Sequence, residues 1–281
     1  MTTQIVIHHD DLGTNAGANA AFVELSDLGV VTSGSVMVPC SWFPDVVRIM
    51  RERPDLDMGV HLTLTAEFGP YRWRPLTGVS DNGLTDADGF FWRDVTSARR
   101  AQPAAVEKEL RAQIDTALAA GIDVTHLDSH MGTVLMPEFL DIYLRLGADY
   151  RLPILLTRNM RNFVPADVLD KAAAQYKAAM ASLVAKGNPD FAAFVITAFG
   201  HAGGDIEPAY RDIFAGVEEG LTWGAFHFNA PGDIENYTDD APLRIAEYDF
   251  FRSGRAKALI EESGLELVGM RKFRDQMRAR A

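Results

Sequence analysis

One cysteine, Cys40, is all the chain has, which excludes an intrachain disulfide framework. Basic residues are also scarce: 27 lysines and arginines stand against 39 aspartates and glutamates, for a net charge of -12. That balance argues against nucleic acid or an anionic membrane surface as the main partner. It leaves a neutral or cationic small molecule open. No apolar run reaches the length of a bilayer-spanning helix. The opening Met1-Thr2-Thr3-Gln4 carries neither a basic segment nor a long apolar one, so no secretion signal is read and a cytoplasmic location is expected. No Gly-x-Gly-x-x-Gly follows the first strand-like run, which weakens a dinucleotide-binding reading. No linker, repeat or low-complexity tract interrupts the 281 residues, which are 47% hydrophobic, enough for a full core. A single domain over residues 1–281 is expected.

What is present is an alternation of short β-rich runs and helical stretches. Runs at Gln4–His8, Ser33–Pro39, Met58–Thr65, Ile122–Leu127, Leu152–Thr157, Phe194–Phe199, Leu221–Phe228 and Leu265–Val268 read as strands. Helices are expected at Asn15–Leu28, Ser41–Arg53, Pro103–Ala120, Pro137–Leu146, Ala166–Lys186, Pro208–Val217 and Leu243–Ser263, several closed by glycine or proline. Repeated βα units imply a parallel sheet with helices outside. Their number predicts an α/β fold of the (β/α) barrel type, TIM-like with room for irregularity. Residues 66–101 break the rhythm. This long insertion holds Phe68, Tyr71, Trp73, Phe90, Phe91 and Trp92. Such a segment is either a functional loop whose aromatic faces, Trp73 and Trp92 among them, meet a sugar ring, or a small satellite core.

The polar clusters fall at the ends of the strand-like runs, where a (β/α) barrel builds its site. Asp10 and Asp11 follow Ile5-Val6-Ile7. Adjacent carboxylates point in different directions, so one suits a metal and the other a proton; an Asx turn is the structural alternative. His61 lies inside an apolar run, where a lone histidine is ordinarily a satisfied core residue. His126, Asp128 and His130 have period-two spacing and share one face if extended, the pattern of a ligand, its supporting carboxylate and a further polar contact. His227 ends a fourth run and suits a general acid, because its ordinary pKa is near neutrality. Arg158 reads either as a substrate contact or as a surface ion pair. His8 and His9 should point to opposite sides, His201 reads as a loop residue, and Glu247 and Asp249 read as helix-start charges.

At these residues the chain resembles the YdjC-like carbohydrate deacetylases, which include chitooligosaccharide deacetylases. The matching motifs are His9-Asp10-Asp11-Leu12-Gly13, where the family usually has Ala-Asp-Asp-Phe-Gly, then Gly29-Val30-Val31-Thr32-Ser33, Gly59-Val60-His61-Leu62 and Thr125-His126-Leu127-Asp128-Ser129-His130. Phe226-His227-Phe228-Asn229-Ala230-Pro231-Gly232 resembles a late family motif of the Cys-His-Pro-Gly type. The chain departs at Met131-Gly132-Thr133, where the family commonly continues with histidines, and at Asn229-Ala230.

The resemblance implies a barrel-like α/β fold and a divalent metal, magnesium or zinc. It implies Asp11, His61 and His126 as ligands and Asp10 as the base. The expected reaction is metal-assisted hydrolysis of an N-acetyl group on a small amino sugar or oligosaccharide, with His227 protonating the leaving amine and His130 in reserve. Two other functions stand beside it. One is a metal hydrolase of another amide or of a phosphate ester, with Gly203-Gly204 as a weak phosphate loop. The other is a carbohydrate-binding relative without catalysis. An exposed apolar helix face would permit a homodimer.

Overall fold

The structure is a computed structural model, and it describes residues 3–161, 163–200 and 204–280. His201 and Gly203, singled out in the sequence, lie outside the described residues. Seven strands form one parallel sheet: β1 (Thr3–Leu12), β2 (Ser33–Val36), β3 (Met58–Leu62), β4 (Val124–Ser129), β5 (Phe191–Ile196), β6 (Gly220–Phe226) and β7 (Glu266–Leu267). The order is β4-β3-β2-β1-β6-β5, with the short β7 beside the start of β1. Between them run α1 (Ala16–Asp27), α2 (Phe43–Glu52), α3 (Val95–Ala98), α4 (Pro103–Ala119), α5 (Pro137–Tyr150), α6 (Ala166–Ala185), α7 (Glu207–Ala215), α8 (Ala241–Arg252), α9 (Arg255–Glu262) and α10 (Arg271–Ala279). Among the described residues no helix is long and apolar enough to cross a membrane.

Eight regular strands were expected and seven are described; the difference is at Leu152–Thr157. That run makes only single bridges, Ile154 to Leu127 of β4 and Thr157 to Phe191 of β5. Pro153 explains the failure: it has no N–H to give to a ladder. Its carbonyl still accepts from Leu127 N at 2.9 Å. One irregular segment thus touches both edge strands, so the sheet is curled into a half-barrel. The expected single helix at Leu243–Ser263 is two, α8 and α9, broken at Gly254, whose φ of 83° is a conformation glycine adopts without strain.

Strand alternation sends the two sides of β1 to different places. Ile5 and Ile7 join the large core beneath the helices, with Phe22, Val36, Val60 and Leu127. Val6 joins a second cluster with Leu155, Phe191, Trp223 and Ala225 inside the curl. His8 follows Val6 on that inner side, with its ring 4.4 Å from Trp223. His9 turns outward and packs against Phe22 and Phe228. The two histidines do point to opposite sides, and both are buried.

The insertion contributes several of its aromatics to the core. Phe91 is fully buried, Phe68 and Trp73 nearly so, and all three belong to the main apolar cluster. The indole of Trp73 donates to Thr65 O at 2.8 Å, and that of Trp92 to Gly83 O at 2.8 Å. Glu67, Phe68 and Gly69 reach the cavity described next; Trp73 and Trp92 do not line it.

Candidate active site

A cavity of about 680 Å³ is lined by the ends of β1, β3, β4 and β6 and by the loops after them. Asp10, Asp11, His61, Asp128, His130 and His227 all line it. Four strand ends or their continuations, far apart in sequence, therefore meet as the sequence clusters require.

Adjacent carboxylates in a regular strand would face opposite ways, yet Asp10 and Asp11 share this cavity. The reason is local. The pairing of β1 with β2 slips between His9 and Leu12, and Asp11 has φ of 62°. That bulge turns the second side chain to the same side as the first. A non-glycine residue in this region is held there at some cost, here among the buried carboxylates and imidazoles of the cavity.

Asp11 is the hub. Its Oδ2 accepts from Arg244 Nη1 at 2.7 Å, and its Oδ1 lies 3.1 Å from His130 Nδ1 and 3.5 Å from His61 Nε2. Burial alone would raise its pKa, but Arg244 and His130 outweigh burial and hold it well below the usual carboxylate range. The far nitrogen of each histidine is held by a second carboxylate. His61 Nδ1 is 2.9 Å from Asp128 Oδ2, and His130 Nε2 is 2.9 Å from Glu67 Oε2. Ser35 Oγ bonds both His61 Nδ1 and Asp128 at 3.0 Å. Burial lowers and Glu67 and Asp11 raise the pKa of His130, with a net rise to about 10.

Asp11, His61 and His130 each offer one atom within 4.8 Å of the other two, all from buried residues. This donor set fits a divalent metal: an ionised carboxylate and two imidazoles, each imidazole oriented by an outer carboxylate, which is how protein metal sites fix tautomer and basicity.

His126, expected from the resemblance as the third ligand, lies deeper. Its Nε2 is 2.9 Å from His8 Nε2 and its Nδ1 is 2.9 Å from Thr125 Oγ1, so both ring nitrogens have partners inside the core. Burial, reinforced by His8, pushes its pKa well below the ordinary value. It groups with His8 and Asp128 and not with Asp11 and His61. The physical reason is the period of two: His126 and His130 are four residues apart, but β4 ends at Ser129, and only His130 begins the 3-10 segment His130–Leu135 that bends over the site.

Asp10 is anchored at one oxygen and open at the other. Its Oδ1 is 2.6 Å from His8 Nδ1, while its Oδ2 lies 3.9 Å from His227 Nε2. Burial raises its pKa, with His8 acting against it. The opposite wall of the cavity is apolar, with Leu155, Phe163, Phe194, Ile196 and Phe199. Phe194 and Ile196 come from β5, Phe199 from the segment just after it, Leu155 from the irregular run and Phe163 from the segment before α6.

Arg158 is not at the site. It pairs with Asp190 at 2.5 Å on the surface and does not line the cavity. Glu247, read as a helix-start charge, is fully buried in the middle of α8. Sequence reading also passed over Arg244, Glu67, Ser35 and Thr197. Glu67 carried a weak signal, being a carboxylate soon after the strand that holds His61. Arg244 carried none, because nothing local marks a helical arginine as buried.

A family model described as "YdjC-like protein" matches residues 4–262. The chain belongs to the YdjC-like family. Over 157 residues it is 40% identical to a carbohydrate deacetylase of Thermus thermophilus, covering 56% of this chain and 54% of the relative. A carbohydrate deacetylase of Brevibacillus brevis is 36% identical over 151 residues, covering 54% of this chain and 58% of that one. These matches span little more than half the length of either relative. One from Thermoanaerobacter pseudethanolicus is 26% identical over 266 residues, 94% of this chain and 93% of its own. A crystal structure of an Enterococcus faecalis protein, provisionally described as a cellobiose-phosphate cleavage protein, has a TM-score of 0.75 at 23% identity, with 97% of this chain and 99% of that one covered. At that identity the likeness is one of fold.

Proposed function

We propose that this YdjC-like protein is a metal-dependent hydrolase that removes an N-acetyl group from an amino sugar or oligosaccharide. The observation that carries the reading is the pair of histidines, each backed by a carboxylate, that turn their inner nitrogens on an ionised Asp11. The relatives named carbohydrate deacetylases support the substrate class. We assign the metal to Asp11, His61 and His130, with His126 supporting the site from below. Nitrogen-rich ligation suits zinc, and magnesium remains the other member of the pair the family implies. A divalent ion there supplies Lewis-acid polarisation of an amide carbonyl and lowers the pKa of water.

The chain's own groups do the rest. Asp10 takes the proton of the attacking water on Oδ2, the oxygen His8 leaves open; burial raises its pKa, which makes it a stronger base than an exposed carboxylate. His227 Nε2, on the far side of a 3.9 Å gap from that oxygen, takes the proton on from Asp10 and gives it to the leaving amine. Asp128, Glu67 and Arg244 orient the ligands. The apolar wall of the cavity packs against the C–H faces of the sugar. A phosphate ester is disfavoured, because among the described residues lining the cavity Arg244 is the one lysine or arginine, and Asp11 holds it.

The test is amine release from a panel of N-acetylated sugars, with p-nitrophenyl phosphate alongside, before and after treatment with chelator. Chelator-sensitive amine release from any sugar is expected. Phosphate release alone, or tight sugar binding with no turnover when metal is bound, would overturn the reading.

A further inference from the structure

His227 is held from behind by two residues that touch neither the metal cluster nor the cavity's polar floor. Thr197 follows β5 and His227 follows β6. These strands are parallel neighbours, and Thr197 N donates to Ala225 O at 2.9 Å. The two residues just past their strands are therefore brought side by side. Thr197 Oγ1 is 2.7 Å from His227 Nδ1 and 3.2 Å from Glu247 Oε2. Glu247 Oε2 also accepts the backbone N–H of His227 at 2.9 Å, and Glu247 Oε1 accepts from Tyr210. Thr197 and Glu247 are both fully buried or nearly so.

A hydroxyl has one proton to give. Glu247 Oε2 is already engaged by an N–H, so it accepts whether or not the carboxyl carries a proton on Oε1. The Thr197 proton therefore goes to Glu247, and the Thr197 lone pair faces His227 Nδ1. A lone pair there demands a proton on Nδ1, and a neutral imidazole carries only one. Nε2, which points into the cavity between Asp10 and Asp11, is left bare.

We propose that Thr197 and Glu247 are positioning residues that hold His227 in its Nδ1–H tautomer, so that Nε2 is the nitrogen that receives a proton and passes it to the leaving amine. This rests on the reading of His227 as the acid. The same relay places the Glu247 carboxyl one hydroxyl away from the imidazolium that forms in each cycle, an arrangement that favours the charged ring when it is needed. Asp10 hands the proton it takes from water across the 3.9 Å gap to His227 Nε2, and His227 passes it to the leaving amine, so both groups are back in their starting states when C–N cleavage is complete.

Three variants test this, each read by turnover and by the ¹⁵N shifts of labelled histidine, with His227 assigned by its loss in His227→Gln. Thr197→Val keeps the shape and removes the hydroxyl. It is expected to lower kcat by about ten- to a hundredfold, the usual cost of losing an orienting partner, with KM and metal content little changed. The His227 signal should move from Nδ1–H towards Nε2–H. Thr197→Ser restores the hydroxyl and should recover both the signal and most of kcat. Glu247→Gln keeps an oxygen for Thr197 and the His227 N–H, so the tautomer should persist while kcat falls. A wild-type His227 protonated at Nε2 at rest, or a Thr197→Val protein with an unchanged His227 spectrum, would overturn the proposal. The spectrum does not depend on turnover, so a protein inactive on every sugar would sink the deacetylase reading and leave this test standing.

Discussion

At the scale of single residues, the decisive distinction is between His126 and His130, four positions apart and equally plausible as ligands from spacing alone. His126 has both ring nitrogens committed to His8 and Thr125, whereas His130 aims Nδ1 at Asp11 with Glu67 behind it. We expect His130→Asn to weaken metal affinity by more than about a hundredfold, since outer partners alone are worth ten- to a hundredfold. His126→Asn is expected to keep the metal. Metal content after gel filtration of the two purified variants, with circular dichroism to show that both are folded, separates the assignments. Loss of metal in His126→Asn alone would return the third ligand to the deeper residue. The left-handed backbone at Asp11 belongs to this scale too. It is a local departure that no propensity argument foresees, and it lets two neighbouring carboxylates work in one cavity.

At the scale of elements, the site exists because inward faces of adjacent strands were kept small where rings must fit. A Cβ built on Gly59 of β3 would sit 2.4 Å from His126 Nε2. The glycine is therefore required by the imidazole across the ladder, not by its own backbone. Gly59→Ala should destabilise the protein by about 1–3 kcal/mol, as overpacking in a tight core does. It should also displace His126 towards His8. A urea midpoint within error of wild type would show that the ring can swing aside freely. Pro153 shows the opposite relation of residue to element. The run around it is as apolar as its neighbours, and periodicity predicts a strand, yet one missing donor reduces it to two isolated bridges.

At the scale of the whole molecule, buried titrating groups tie global stability to pH. Burial pushes Glu247 up to about 7 against the pull of Tyr210, the His227 N–H and Thr197. A carboxyl raised in the folded state contributes stability that is complete below its ordinary pKa and is lost as pH rises through 7. The folded chain binds more protons than the unfolded one in that window, so unfolding free energy falls as pH rises. Glu247→Gln removes this dependence. Relative to the wild type, the variant should therefore gain about 2–3 kcal/mol between pH 5 and pH 8, taken as the difference between urea curves at the two pH values. A constant gap would mean that Glu247 is ionised in the fold at both.

Much of this molecule was legible without coordinates. Short continuous apolar runs alternating with helical stretches announced parallel βα units, because a strand buried on both faces and a helix buried on one leave different apolar patterns in the chain. Strand-end polar clusters announced a convergence, since Asp10, Asp11, His61, His130 and His227 do line one cavity. Tertiary structure alone decided which of these groups touch. Whether His126 or His130 faces Asp11 depends on where β4 stops, and the partners Arg244, Glu67 and Glu247 arrive from segments with no signal of their own. A pairing between residues more than two hundred positions apart, such as Arg244 with Asp11, is set by packing of α8 over the sheet. Periodicity reports which face of an element is buried; it carries no information about what lies across from it.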